Sequence, residues 1–223
     1  VGSEMCIRDS VACESLATKG LVVVSGEIRT TASIDVENVI RNTIKEIGYH
    51  KGNSGVDPDE VKILNKLHEQ SPEIAQGVDS ENISEQGAGD QGLMFGYACK
   101  ETPELMPLPI QISHRLTEKL SVLRKDGTLP WLRPDGKSQV SVLYENGIPK
   151  SVDKTVIATQ HDDMLAKYGS EAKELEFVKN EVIKNVIKPV LDSYGYDYRN
   201  DFIVNGTGRF VYGGPEAVSY THL

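Results

Sequence analysis

The segment Glu85-Gln86-Gly87-Ala88-Gly89-Asp90-Gln91-Gly92-Leu93-Met94-Phe95-Gly96-Tyr97 sets the carboxylate of Asp90 among four glycines. Glycine at that density belongs to backbone that turns tightly or lies close to something. An acid placed there suits a ligand better than a core. Gly87, Gly89 and Gly92 also spell G-x-G-x-x-G. A dinucleotide fingerprint needs a buried strand before its first glycine, a helix after it and an acid about 20 residues on. Ser71–Gln86 is polar and acidic with no β-branched run, and no such acid stands near Ser113. The dinucleotide reading is therefore set aside.

Two other segments hold chemistry-bearing groups between turn residues. Leu129–Gln139 carries Trp131, Arg133, Asp135 and Lys137. A lysine just before a strand can act as a compact charge for a phosphate, or it can close a salt-bridged turn. Gly206–Phe210 sets Arg209 beside Phe210; an arginine can hold phosphate and an aromatic face can stack on a base. There is no G-x-S-x-G and no arguable nucleophile–base pair, and Asp162-Asp163 read as solvated loop acids. The chemistry indicated is electrostatic positioning rather than covalent catalysis.

The elements that must place these groups follow from pattern. Leu21–Thr31 is β-branched and reads as a buried strand, interrupted by Glu27 after Gly26. Val36, Val39, Ile40, Ile44 and Ile47 make a helical stripe, capped by Ser33 or Asp35 and ended by Gly48. Val61, Leu64 and Leu67 predict a shorter helix over 58–69. Residues 71–86 have no period and read as a linker or a functional lid. A helix opens at Pro107 and Pro109 and closes at Gly127. Ser138–Tyr144 and Lys154–Gln160 form a hairpin about Asn146-Gly147. Leu175–Ile187 is a long amphipathic helix stopped near Pro189, and Phe202–Val204 is a short strand. The order predicts an α+β fold, with helices on one face of antiparallel sheets.

With 39% hydrophobic and 26% charged residues, the composition is that of an ordinary globular protein. No apolar run approaches the ~18 residues of a membrane span. A net charge of −9 opposes general nucleic-acid binding. His50, His68, His114 and His161 are too scattered for a zinc site and read as surface or packing residues. Cys13 and Cys99 form no C-x-x-C, which fits a reducing, cytoplasmic compartment.

The two ends differ from what they abut. Glu4–Ser10 back-translates to GAG ATG TGT ATA AGA GAC AG, and Val218–Leu223 to GTC TCT TAT ACA CAT CTC, the reverse complement of its first six codons. Residues 1–10 and 218–223 are therefore expected to be adaptor-derived, and 11–217 to be the authentic protein.

VSGEIRTTA (24–32), IRNTIKEIGY (40–49), QGVD (76–79), GAGDQGLMFGYA (87–98), GTLPWLRPDGKSQV (127–140) and GTGRFVYGGP (206–215) together resemble S-adenosylmethionine synthetase, also called methionine adenosyltransferase. The resemblance runs through nearly all of 11–215. It implies repeated sheet-plus-helix domains: an incomplete N-terminal domain over 11–75, a mobile active-site loop over 76–86 and a central domain over 87–217. The implied reaction joins the methionine sulfur to the ribose C5′ of ATP. It displaces triphosphate, which is then hydrolysed to phosphate and diphosphate. A thioether is already nucleophilic, so no general base is required.

By motif, Glu27, Gln76 and Asp90 resemble the methionine contacts. Asp135, Gly136 and Lys137 resemble the ATP triplet, with Lys137 on the phosphates, and Arg209 and Phe210 the pair on ATP, with Phe210 against the adenine. Lys137 and Asp90 are the best candidates for a direct catalytic contribution. Glu14 resembles the potassium ligand. The loop is Gln76-Gly77-Val78-Asp79-Ser80-Glu81-Asn82-Ile83-Ser84-Glu85-Gln86. Gly136 stands where the family often has alanine, and Gly206 where it often has proline. The resemblance further implies K+, two Mg2+ per site and a homodimer or homotetramer with shared active sites. The family's G-H-P-D-K would precede residue 11, and D-x-G-L-T-G-R-K would follow 217. The fragment is thus expected to be inactive alone, with most magnesium ligands elsewhere. A non-catalytic binding or regulatory relative is the alternative.

Overall fold

The computed structural model describes residues 10–50, 56–69, 71–72, 93, 95–218 and 220–221. The loop 76–86, Asp90 with Gly87, Gly89 and Gly92, and residues 1–9 lie outside the described residues. The chain divides into two compact units, Val1–Gly96 with Gly214–Leu223, and Tyr97–Gly213.

In the first unit, β1 (Ser10–Thr18) and β2 (Leu21–Arg29) form an antiparallel hairpin. The helix α1 (Val36–Ile47) follows, then β3 (Lys62–Glu69), which pairs parallel to β2 from Leu21↔Lys62 to Ile28↔Glu69. A helix between parallel neighbours is the connection such pairing requires. The Asp35 side chain accepts from the Asn38 N–H at 3.1 Å and caps α1. Gly48 closes it in the left-handed region, its N–H donating to Ile44 and Lys45. Val36, Ile40 and Ile44 of the predicted stripe are drawn inward, while Val39 and Ile47 stay exposed.

The predicted helix over 58–69 is a strand. Asp57 spends residues 57–61 on a turn: its Oδ1 accepts from Asp59 N–H and its carbonyl from Glu60 and Val61. The open edge of β2 then supplies a complete ladder to the residues beyond, and pairing overrides a short i, i+3 pattern. Two further residues, Tyr220–Thr221 (β8), pair antiparallel with β1, giving the order β3-β2-β1-β8. They lie inside the segment read as adaptor-derived. Val22, Val24, Ile44, Val56 and Val61 form this unit's core.

The second unit begins with α2 (Leu108–Lys125), which Pro107 opens as predicted. The strands β4 (Leu132–Glu145) and β5 (Ile148–His161) are longer than their apolar runs. Asn146 (φ 52°) and Gly147 (φ 76°) turn between them, as the Asn-Gly pair predicts. Next come α3 (Leu165–Tyr168) and α4 (Glu171–Val182), a π turn over Ile183–Ile187 and α5 (Lys188–Tyr194). Pro189 therefore does not stop the helix. The π turn has the Lys188 N–H donating to the Ile183 carbonyl, and Pro189 falls in the first turn of the resumed ladder, where an N–H is dispensable. The strands β6 (Asp197–Tyr198) and β7 (Phe202–Val204) add parallel to successive stretches of β5. Both sheets are thus mixed rather than antiparallel, within an α+β architecture. The core joins Leu108, Ile112, Leu116, Val178, Val182 and Ile187 on the helices to Leu132, Ile157 and Phe202 on the sheet. Each such side chain contributes about 1.5–3 kcal/mol on burial.

Candidate functional site

The β4–β5 ladder keeps one register from Gly136↔Thr159 to Ser141↔Lys154 but slips between Leu132 and Gly136, so Arg133-Pro134-Asp135 bulge away from the partner strand. Bulges re-aim side chains at strand ends. Opposite this bulge β5 ends in Thr159-Gln160-His161, all buried. Arg133 bonds Asp162, the residue after the strand, through both Nε and Nη2.

The chain returns to this end through 205–213. Asn205, at φ 48°, extends the β5–β7 ladder by one rung with its side chain. Its Oδ1 accepts from Thr159 N–H at 2.8 Å and its Nδ2 donates to Thr159 O at 3.1 Å. Asparagine tolerates the left-handed region and can imitate a backbone amide, which is why it stands here. Phe210 follows, with its N–H donating to His161 Nε2 at 3.3 Å and its carbonyl accepting from His161 N–H at 2.9 Å. Gln160 Nε2 donates to Val211 O at 2.9 Å. A Cβ built on Gly213 would lie 2.7 Å from Phe210 Cε2, 3.0 Å from Asp135 Oδ2 and 3.1 Å from Gln160 Cδ. Glycine is required there by close approach, and Asp135 and Phe210, far apart in sequence, meet around it.

Arg209 is held by two acids. Its Nε donates to Glu174 Oε2 and its Nη2 to Asp163 Oδ1, each at 2.5 Å, with Glu174 Oε1 at 3.5 Å from Nη2. The Glu174 hydrogen bond, ahead of its charge and that of Asp163, holds the guanidinium pKa above its ordinary value. Asp163 also accepts from Leu165 N–H, and that bond, followed by the Arg209 charge, pulls its pKa below the ordinary range. Of the acids expected to be solvated, Asp163 is exposed and Asp162 half-buried, and each also engages one arginine of the site. Lys137 lies within β4 rather than before it, exposed and opposite Ala158. Glu174 and Gln160 carried no sequence motif and Asn205 stands just before the Gly206–Phe210 segment; for Glu174 the nearest local signal was the Ser170 cap that starts α4.

In the first unit, the register sets Glu27 opposite Ala12 and Glu14 opposite Ser25, so both acids occupy one face of the β1–β2 ladder. His68 stands beside Glu27 across β2–β3, its Nε2 3.5 Å from Glu27 Oε1. A Cβ on Gly26, at φ 141°, would strike the carbonyl of Ala12, so glycine lets the Glu27 strand approach β1. Gln76 and Asp90 lie outside the described residues. A separate groove of about 680 Å³ between α2 and α5, lined by Glu101, Arg115, Pro189 and Tyr194, contains none of the motif residues. Among the described residues no helix is long and apolar enough to cross a membrane.

The Arg133-Pro134-Asp135 bulge and the Gly208-Arg209-Phe210 return thus meet at one strand end of a mixed-sheet α+β protein. The model of the synthetase central domain matches residues 85–210, and that of its N-terminal domain residues 6–72. The chain belongs to the S-adenosylmethionine synthetase family. That membership indicates a transferase function in S-adenosylmethionine biosynthesis.

Proposed function

We propose that the protein is a methionine adenosyltransferase that makes S-adenosylmethionine from ATP and L-methionine. The methionine sulfur lone pair forms the bond to C5′ as the C5′–oxygen bond breaks. Triphosphate leaves with that electron pair, and its hydrolysis gives phosphate and diphosphate. In this reading Asp135, Gly136, Lys137, Arg209 and Phe210 hold ATP, with Lys137 on the phosphates and Phe210 against the base. Glu27, Gln76 and Asp90 hold methionine, 76–86 is the mobile loop between domains at 11–75 and 87–217, and the working assembly is a homo-oligomer. The observation that carries the reading is the meeting of Asp135 and Phe210 around Gly213.

The ions this reading implies are two Mg2+ and K+. Among the described residues no three or more His, Cys, Asp or Glu side chains gather as a metal group would need. These residues do not fit a magnesium site, and no step is routed through one. Glu14 stands as the potassium ligand of the proposal.

The test is to express the complete reading frame containing 11–217 and follow methionine-dependent release of phosphate and diphosphate from ATP. Sulfonium product is expected. A frame lacking G-H-P-D-K that binds ATP without turnover would make it a non-catalytic relative instead.

A further inference from the structure

Arg209 carries five N–H donors, and the structure commits one edge of the guanidinium. Nε is given to Glu174 and Nη2 to Asp163, while Nη1 makes no hydrogen bond among the described residues. The two acids differ in kind. The Glu174 side chain is 0% exposed and also accepts from Met164 N–H at 2.6 Å. It is locked into α4, one turn before the fully buried Val178. A carboxylate so buried cannot lose its cation cheaply, so Arg209 stays on Glu174 whatever else binds. The Asp163 side chain is 61% exposed. An exposed pair is worth about 0–1 kcal/mol, and here it is a second acid on a charge that Glu174 already neutralises.

We propose that Glu174 is the positioning residue for Arg209, and that Asp163 is a displaceable partner whose place on Nη2 is taken by a phosphate group of ATP. This rests on the reading that Arg209 meets ATP. Release of Asp163 frees Nη2 beside the open Nη1, and these two donors form the end-on fork that suits two phosphate oxygens. Glu174 on Nε fixes the plane of that fork, while the His161 bonds fix the backbone of Phe210 next to it. The site therefore holds its arginine in a near-ready pose, with a weak internal competitor in the place of the anion.

The sign of the effect separates positioning from charge. Removing either acid removes one negative charge near the phosphates, so a purely electrostatic role makes both substitutions tighten anion binding. Positioning by Glu174 requires opposite signs. Calorimetric titration of the 223-residue chain with ATP, inorganic tripolyphosphate and adenosine decides. Asp163→Asn keeps an acceptor for Leu165 N–H and is expected to tighten ATP and tripolyphosphate about two- to fivefold. Glu174→Gln keeps an acceptor for Met164 N–H and is expected to weaken both about tenfold, with adenosine unchanged in each variant. Tightening by both substitutions, or a change in neither, overturns the proposal. If Glu174→Gln proves too unstable to titrate, Asp163→Asn alone still decides the displacement: unchanged or weaker tripolyphosphate binding overturns it. Arg209→Ala tests the underlying reading separately. Unchanged ATP affinity there removes Arg209 from the site, whereas weaker binding without the opposite signs sinks only the roles of Glu174 and Asp163.

Discussion

Phe210 and His161 exchange two hydrogen bonds, His161 N–H to Phe210 O at 2.9 Å and Phe210 N–H to His161 Nε2 at 3.3 Å. The second needs a bare Nε2, so the ring proton sits on Nδ1, which faces the Asp162 carbonyl at 2.7 Å. His161 is fully buried. His161→Ala is expected to leave both a void and an unpaired Phe210 N–H, costing about 2–4 kcal/mol. Urea denaturation of the variant checks this, and a loss below about 1 kcal/mol would show that the ring bonds little.

Gly213→Ala places a methyl 2.7 Å from the Phe210 ring, which must move because Asp135 and Gln160 close the other sides. Overpacking of this kind costs about 1–3 kcal/mol. The expected result is ATP affinity lowered about tenfold in a protein that still folds. Titration with ATP at full affinity would show that Phe210 does not contact the nucleotide.

Gly136→Ala is expected to do the reverse. Its Cβ would meet Leu120 Cδ1 at 3.4 Å and the carbonyl of Ala158 and Thr159 Oγ1 at 3.9 Å, all ordinary contacts. Replacing a strand glycine whose backbone does not need glycine stabilises by about 0.4–1 kcal/mol. A rise in the thermal midpoint is the predicted outcome, and a fall would show that the strand needs glycine there.

Glu101 Oε2 accepts from Leu108 N–H at 2.8 Å and from Tyr144 Oη at 2.6 Å, tying the start of α2 to β4. The Leu108 bond first, and then Tyr144, hold the Glu101 carboxyl below its ordinary range. Burial and then the Glu101 bond push the Tyr144 phenol up. A carboxyl depressed in the folded state contributes stability that is complete above its unfolded pKa. It is lost as pH falls below about 4 through the folded pKa. Glu101→Gln is expected to be less stable at neutral pH and to show a flatter acid limb. Melting curves from pH 2 to 7 measure this; parallel limbs for the two proteins would remove Glu101 from acid unfolding.

Much of the fold is legible where the signal is local. The Asp35 cap, Gly48, Pro107, the Asn146-Gly147 turn and the Phe202–Val204 strand all stand as their residues predict. What local pattern misjudges is settled by partners distant in sequence. Residues 62–69 become a strand because β2 offers a free edge, and Pro189 is carried inside a helix because a π turn precedes it. The site divides the same way. Arg209, Phe210, Asp135 and Lys137 stand out by type and motif, whereas Glu174, Asn205 and Gln160 sit in ordinary helix, loop and strand sequence.

The amino-acid sequence alone determined the family and singled out the candidate site residues, because motif identity is a property of side-chain type and spacing. Only the tertiary structure decided which groups those residues hold. Hydrogen bonds and ion pairs depend on where distant segments arrive. That Asp162 and Asp163 take one arginine each, that a buried Glu174 anchors Arg209, and that His161 fixes the backbone of Phe210 follow from the return of 205–213 to the end of β5.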